Sequence, residues 1–312
     1  MPPHGKPVAL IAGPTASGKS DLAVRLAQAL ERTGRRGVVI NADSQQVYRD
    51  LRIVSARPTE EEMGGIEHRL FGAWDGAQAC STADWSEAAK REIADLHATG
   101  AVPILCGGTG LYLRTLIEGI APVPEIDPNV RYLVRNLSTY ELRECIAQED
   151  PEAAERLGHR DIQRMARALE VVRSTGRPLG YWQQRKVGGI GDQVQLHPLI
   201  LLPDREWLYK RCDLRFERML RNGAIAEVDA LMKRGLDPEL PVMRAIGVPE
   251  IAEFVRSCGG IRFDVRATGQ AATRQYAKRQ YTWFRNQPPD HWPRKAAVSD
   301  DLEDIWASLL QS

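Results

Sequence analysis

Gly13, Gly18, Lys19 and Ser20 fall in the order glycine, four residues, Gly-Lys-Ser within the stretch IAGPTASGKS. Backbone N–H groups of such a loop turn inward around an anion. The lysine neutralises the terminal phosphate, and the serine hydroxyl reaches Mg²⁺. Pro14, Thr15, Ala16 and Ser17 complete the cradle. The run VALIA before it reads as a buried strand. The run SDLAVRLAQALERTG after it reads as a helix with Leu22, Leu26, Ala29 and Leu30 on one face. The loop specifies a polyphosphate; it does not specify a kinase.

A second group of chemical interest is Asp43 in NADSQQVYRDL, at the end of the next strand. Open α/β sheets bind ligands beyond the carboxyl ends of their strands, so Asp43 is expected near the lysine of the loop. A carboxylate there can hold Mg²⁺, directly or through water, accept a proton from a nucleophile, or only cap a helix. CGGTGLYLRTLIEG (106–119) repeats the strand, glycine turn and helix order, with the helix opening near Thr109. Glycines there permit a tight turn or a close approach of substrate to backbone. These residues leave two enzyme readings, a small-molecule or nucleotide kinase and a transferase that binds a diphosphate leaving group. A nucleotide-switched binding protein is the third, without a recognisable switch region to support it.

The elements that must position these groups form an alternating series. Apolar runs at 8–12, 37–43, 101–108 and 196–203 predict strands of a parallel sheet covered by helices on both faces. Pro122, Pro124 and Pro128 break the alternation, and from Arg131 to Lys186 only helical patterns appear. The expected fold is an α/β, P-loop NTPase-like core with an all-helical insertion. Its boundaries are 1–122 for the first part of the core, 123–195 for the insertion and 196–312 for the rest. The glycine-rich 188–193 reads as a loose loop, and helices are expected from about 204 to 287.

With 312 residues, 43% hydrophobic and 27% charged, the chain reads as an ordinary globular protein of two structural units. No apolar run approaches the ~20 residues of a membrane helix. The N-terminus runs straight into the first strand, so no signal peptide is expected. Cys80, Cys106, Cys145, Cys212 and Cys258 show no C-x-x-C spacing, which suits reduced thiols and a cytoplasmic location. The net charge of +1 is uninformative, but its distribution is uneven. Residues 265–289 hold five basic side chains and no acidic one. Arg274, Lys278, Tyr281 and Arg285 form one stripe of a helix, interleaved with Tyr276, Trp283 and Phe284. Such a face is either solvated or built for a polyanion, with phosphates on the basic groups and bases on the rings.

Taken together, GPTASGKS, NADSQQVYRDL, CGGTGLYLRTLIEG and TRQYAKRQYTWFR resemble, in order and spacing, the tRNA dimethylallyltransferase family. DIQRMARALEV and RFERMLRNGAIAEV add support. The resemblance implies transfer of a dimethylallyl group from dimethylallyl diphosphate to N6 of the adenine at tRNA position 37, beside the anticodon. It implies Asp43, Thr109 and Lys19 as catalytic residues, Mg²⁺ on Ser20 and Asp43, and the loop with Arg215 on the diphosphate. It implies that Ser44, Gln45 and Gln46 meet the extruded base, and that Arg131, Gln163, Arg164, Met165, Ala166 and Arg167 contact tRNA. The same holds for Arg244, Ala245, Ile246, Gly247, Val248 and Pro249, and for Arg274, Lys278, Arg279 and Arg285 on the 273–285 helix. One departure is RAIGVPE, where the family often carries an aromatic-basic pair after Ile-Gly. The eukaryotic zinc-binding module is not expected, which favours a bacterial-type enzyme, and a monomer is expected.

Overall fold

The computed structural model describes residues 5–158, 161–257, 264–297 and 302–310. Cys258 lies outside them. Six parallel strands form the sheet: β1 (Lys6–Ala12), β2 (Gly37–Asn41), β3 (His68–Arg69), β4 (Val102–Gly107), β5 (Val194–Leu201) and β6 (Arg294–Lys295). Their order is β3-β2-β4-β1-β5-β6. Ala9 lies opposite Ile104 on one side and His197 on the other. The four central strands are those their apolar runs predict, with ends displaced by up to two residues. β3 and β6, of two residues each, carry no such run.

The helices are α1 (Lys19–Arg32), α2 (Glu60–Met63), α3 (Thr82–Ala98), α4 (Gly110–Glu118), α5 (Pro128–Arg135), α6 (Thr139–Glu149) and α7 (Pro151–Arg156). They continue with α8 (Ile162–Thr175), α9 (Leu179–Gln183), α10 (Arg205–Arg221), α11 (Ala224–Lys233), α12 (Val248–Arg256), α13 (Val265–Asn286) and α14 (Leu302–Leu310). Chain contacts divide these elements into two units, 1–116 with 191–312, and 117–190.

In the first unit Leu22, Leu26 and Leu30 of α1 pack on Ile11, Val39 and Ile104, and Trp306 and Leu309 of α14 join the same core. Fully burying each such aliphatic side chain contributes about 1.5–3 kcal/mol. α3 is seated by Trp85, which is fully buried, stacks on Tyr112 at 4.5 Å and donates its indole N–H to Asn41 O at 2.9 Å. α10 and α13 pack so closely that a Cβ on Gly269 would lie 1.9 Å from the Phe216 ring.

The second unit has its own core of Val134, Leu142, Ile146, Met165 and Leu169. Its entering and leaving chains meet at a neck where Ile120 and Val187 exchange two backbone hydrogen bonds of 3.0 Å. Lys186 pairs with Glu118 there. A Cβ on Gly119 would lie 2.4 Å from Val187 O, and one on Gly189 2.5 Å from Ile117 O. Gly189 therefore serves close backbone packing within the 188–193 loop.

Candidate active site

The phosphate loop joins β1 to α1. Gly18 sits at φ 91°, a left-handed conformation that glycine adopts without strain, and Ala16 holds φ 63° despite its Cβ. Lys19 is buried, with its ammonium donating to Pro14 O at 3.2 Å. Burial pulls its pKa below the ordinary lysine range, and the Asp43 carboxylate opposes that shift. Ser17 Oγ and Arg215 Nε are buried without a protein partner. Arg215 reaches the loop from α10 and donates to Thr15 Oγ1 at 2.5 Å. Unpaired buried polar atoms are costly, and here both donors flank a loop shaped for an anion.

Asp43 stands two residues beyond β2. Asn41 fixes it from both sides: its side-chain oxygen accepts the Asp43 N–H at 2.9 Å and its amide donates to Asp43 O at 3.0 Å. One carboxylate oxygen of Asp43 accepts the Gln45 N–H at 3.0 Å, which makes a tight side-chain turn where a helix cap was one expectation. Thr109 is tied to the same strand end, its N–H donating to Ala42 O at 3.1 Å and its Oγ1 accepting the Ser44 N–H at 2.9 Å. The approach is close because Gly107 lacks a side chain; a Cβ there would lie 2.1 Å from Ala42 O. Tyr276 of α13 hydrogen-bonds to Thr109 and Ser44, and burial raises its pKa.

A cavity of about 20 Å³ lies among Thr15, Asp43, Gln45, Arg215, Ile246 and Tyr276. Beside it, a cavity of about 510 Å³ is rimmed by Ala16 of the loop and by Arg52, Arg57, Arg211, Arg215 and Arg218, with Glu62 as its acid. Arg57 is held below the usual guanidinium range by burial and by the charge of Arg52. This crowd of like charges suits a polyanionic ligand. Burial pushes the Cys106 thiol up to about 11, so it stays protonated and is no nucleophile at neutral pH.

The remaining expected site residues are distributed as follows. Gln46 donates its amide to Ser55 O and Ala56 O, so it shapes the wall of the cavity. Arg131, Gln163 and Arg164 are exposed. Met165 and Ala166 are buried in the second unit's core, so their side chains are corrected from RNA contacts to packing. Arg167 lies 3.6 Å from the buried Glu170. Arg244 is exposed and pairs with Glu239 at 3.1 Å, whereas Ala245, Gly247 and Val248 are buried. The VPE departure has a local reason. Pro249 occupies the first turn of α12, and Glu250 reaches back to accept the Gly247 N–H at 3.0 Å.

On α13 the stripe divides. Lys278, Arg279 and Arg285 are exposed, but Arg274 pairs with Asp213 of α10 at 2.5 Å. The aromatic residues of this helix pack against the protein to different degrees, Phe284 buried and Tyr276, Tyr281 and Trp283 half-buried. Phe284 is buried, Tyr281 lies under Arg205 at 4.7 Å, and a Cβ on Gly110 would meet the Trp283 ring at 2.3 Å. Two polar residues that spacing alone did not mark stand out. Gln280 bonds to both the phosphate loop and the turn at Gly108, and Glu227 accepts the N–H groups of Arg52, Ile53 and Val54 at 2.7–2.8 Å. Their contacts span over 170 residues of chain, beyond the reach of any local pattern.

The match to known proteins agrees with this geometry. A family model described as IPP transferase matches residues 46–287. A tRNA dimethylallyltransferase of Erythrobacter litoralis is 63% identical over 98% of this chain and 96% of its own length. Another, of Sphingopyxis alaskensis, is 61% identical over 97% and 98%. Among solved structures, a tRNA isopentenylpyrophosphate transferase of Bacillus halodurans superposes with a TM-score of 0.68 at 30% identity, covering 98% of this chain and 94% of that one. A eukaryotic dimethylallyltransferase acting on tRNA gives 0.75 at 28% identity, covering 89% and 70%. With a family model that spans most of its length and relatives of 61–63% identity from end to end, the chain belongs to the IPP transferase family.

Proposed function

We propose that the protein transfers a dimethylallyl group from dimethylallyl diphosphate to N6 of adenosine 37 in tRNA. The observation that carries this reading is the convergence of Thr15 of the phosphate loop, Arg215 with its orphaned Nε, and Asp43 on one small cavity, with Thr109 tied to the adjoining Ser44. The loop amides, Lys19 and Arg215 bind the diphosphate and stabilise it as it leaves with the C–O bonding pair. The adenine, turned out of the anticodon loop, presents N6 to the allylic carbon. As the N–C bond forms, N6 gives its proton to Asp43. Thr109 and Ser44, locked to each other and to Tyr276, form the wall against which the base is held. Entry of substrate widens the small cavity, and Met219 in its lining is the adaptable side chain.

Mg²⁺ fits this site as a substrate-borne ion. Among the described residues no three metal-ligating His, Cys, Asp or Glu side chains cluster, and the hard oxygens at hand are Ser20 and Asp43. One or two protein oxygens with phosphate and water completing the shell is the usual magnesium arrangement. When bound, the ion neutralises charge on the leaving diphosphate. Among the described residues no helix is long and apolar enough to cross a membrane.

The test is incubation with unmodified tRNA, labelled dimethylallyl diphosphate and Mg²⁺. Label in tRNA supports the reading, and label-free tRNA beside a turned-over phosphate donor supports a kinase. Lys19→Ala is expected to lower kcat/KM for the allylic diphosphate by ~10²–10³-fold. The melting temperature should hold or rise, because removing a buried ammonium removes its desolvation cost. Full activity in the folded variant refutes the role of the loop.

The exposed cations of α13 provide the RNA test. Lys278→Ala and Arg285→Ala should each weaken tRNA binding and reduce its salt slope by about one unit, with affinity for dimethylallyl diphosphate unmoved. A phosphate at Arg274 must compete with Asp213, so Arg274→Ala should change the slope less. Equal, unaltered slopes in all three variants remove α13 from the RNA face.

A further inference from the structure

Gln280 lies at the centre of the buried face of α13 and is 6% exposed. Its side-chain oxygen accepts the N–H of Thr15, inside the phosphate loop, at 2.8 Å. Its amide donates to Gly108 O, in the turn that carries Thr109, at 2.7 Å. One planar group thus spans the two turns that bring anion and base together. A third segment, the Asp43–Gln46 turn, is joined to the same helix one turn earlier through Tyr276, Thr109 and Ser44. Gly108 is kept bare for this contact, since a Cβ there would lie 2.4 Å from Gln280 Nε2. Glutamine is the natural side chain for the task, having an acceptor and a donor at one end and no charge to bury.

We propose that Gln280 is a positioning residue: it sets the phosphate loop in register with the Thr109 turn, and so fixes where the allylic carbon lies relative to the incoming amine. The claim rests on the transfer reaction proposed above. Gln280 touches no reacting atom. Its effect comes through Thr15, whose amide it turns, and through Gly108, whose carbonyl it holds. A displacement of about 1 Å between reacting groups costs on the order of 10²-fold in rate. Losing this spacer should therefore appear in the chemistry with the diphosphate and not in RNA affinity.

The experiment is a double-mutant cycle on the full chain, with Gln280→Ala, Gly108→Ala and the combined variant. It uses single-turnover transfer from labelled dimethylallyl diphosphate to an anticodon stem-loop RNA, RNA affinity by filter binding, and melting temperature. Wild-type transfer must first be seen, which tests the parent reading separately from this one. Gln280→Ala is expected to slow transfer about 10- to 100-fold with RNA affinity unchanged within twofold. Gly108→Ala, which pushes the same amide aside, should give a loss of similar size. In the combined variant the methyl enters the space the amide has left, so its loss should be no greater than that of the worse single change, where independent sites would multiply. Multiplying losses, normal transfer in Gln280→Ala, or a loss confined to RNA affinity each overturn the proposal. Should Gln280→Ala fail to fold, Gly108→Ala with its intact glutamine decides on the same readouts.

Discussion

Asp43→Asn is expected to lower the single-turnover rate of transfer by ~10²–10⁴-fold while tRNA still binds, the range for loss of a positioned general base. The substitution is well matched to the local geometry. The carboxylate oxygen that accepts the Gln45 N–H can be replaced by the asparagine carbonyl, and Asn41 grips the backbone of residue 43, which is untouched. The turn should survive, and only the capacity to take a proton goes. A role in holding Mg²⁺ gives a different pattern: weaker diphosphate binding, partly restored by excess metal. Rates over a Mg²⁺ series separate the two, and near-normal chemistry at every concentration removes Asp43 from the mechanism.

A pH effect follows from the same residue. Asp43 is the strongest influence holding up the pKa of Lys19 against burial. Without that charge the amine should lose its proton at lower pH than in the wild type. The alkaline fall in diphosphate affinity should therefore begin earlier in Asp43→Asn, which a titration of inorganic diphosphate binding between neutral and alkaline pH would measure. A limb that stays in place or moves upward contradicts the coupling.

Trp85→Ala is expected to cost about 3–5 kcal/mol of stability, the usual range for emptying a buried aromatic site. Against a typical total of about 5–15 kcal/mol, that leaves a protein marginal at growth temperature. The indole fills the space between α3 and the sheet, stacks on Tyr112 and satisfies the last carbonyl of β2. Trp85→Phe keeps the ring and removes the hydrogen bond, so about 1–3 kcal/mol should be lost through the unsatisfied Asn41 carbonyl. Urea midpoints of the two variants test both figures. Equal midpoints would assign the whole contribution to the hydrogen bond and none to packing. Because Asn41 is the residue that orients Asp43, the phenylalanine variant should also lose activity beyond its loss of stability.

The sheet was legible where strands are long and apolar on both faces, as in β1, β2, β4 and β5. It was illegible in β3 and β6, whose two residues acquire strand geometry only from pairing with β2 and β5. The phosphate loop could be read locally because all its groups lie within eight residues, and Asp43 because strand ends face ligands in such sheets. Arg215 was not locally visible, since its role depends on α10 delivering it to the loop. The α13 rings misled for a related reason. Aromatic residues beside arginines suit a nucleic acid, but the same spacing seats a helix on a core, and in Trp283 and Phe284 the core prevailed. Glu227 and Gln280 left no local trace because their partners are set by topology.

The neck between Ile120 and Val187 bears on how the gene could change. Entry and exit of the helical segment stand one hydrogen bond apart, and its apolar core is complete in itself. Insertions, deletions or wholesale replacement between these two residues leave the closure unaltered, and lengthening such a loop costs little in chain entropy. The segment can therefore drift or be exchanged as a cassette while the sheet and phosphate loop stay under separate constraint. Chimaeras that take residues 121–186 from distant relatives should keep the stability of the recipient, which urea midpoints would measure.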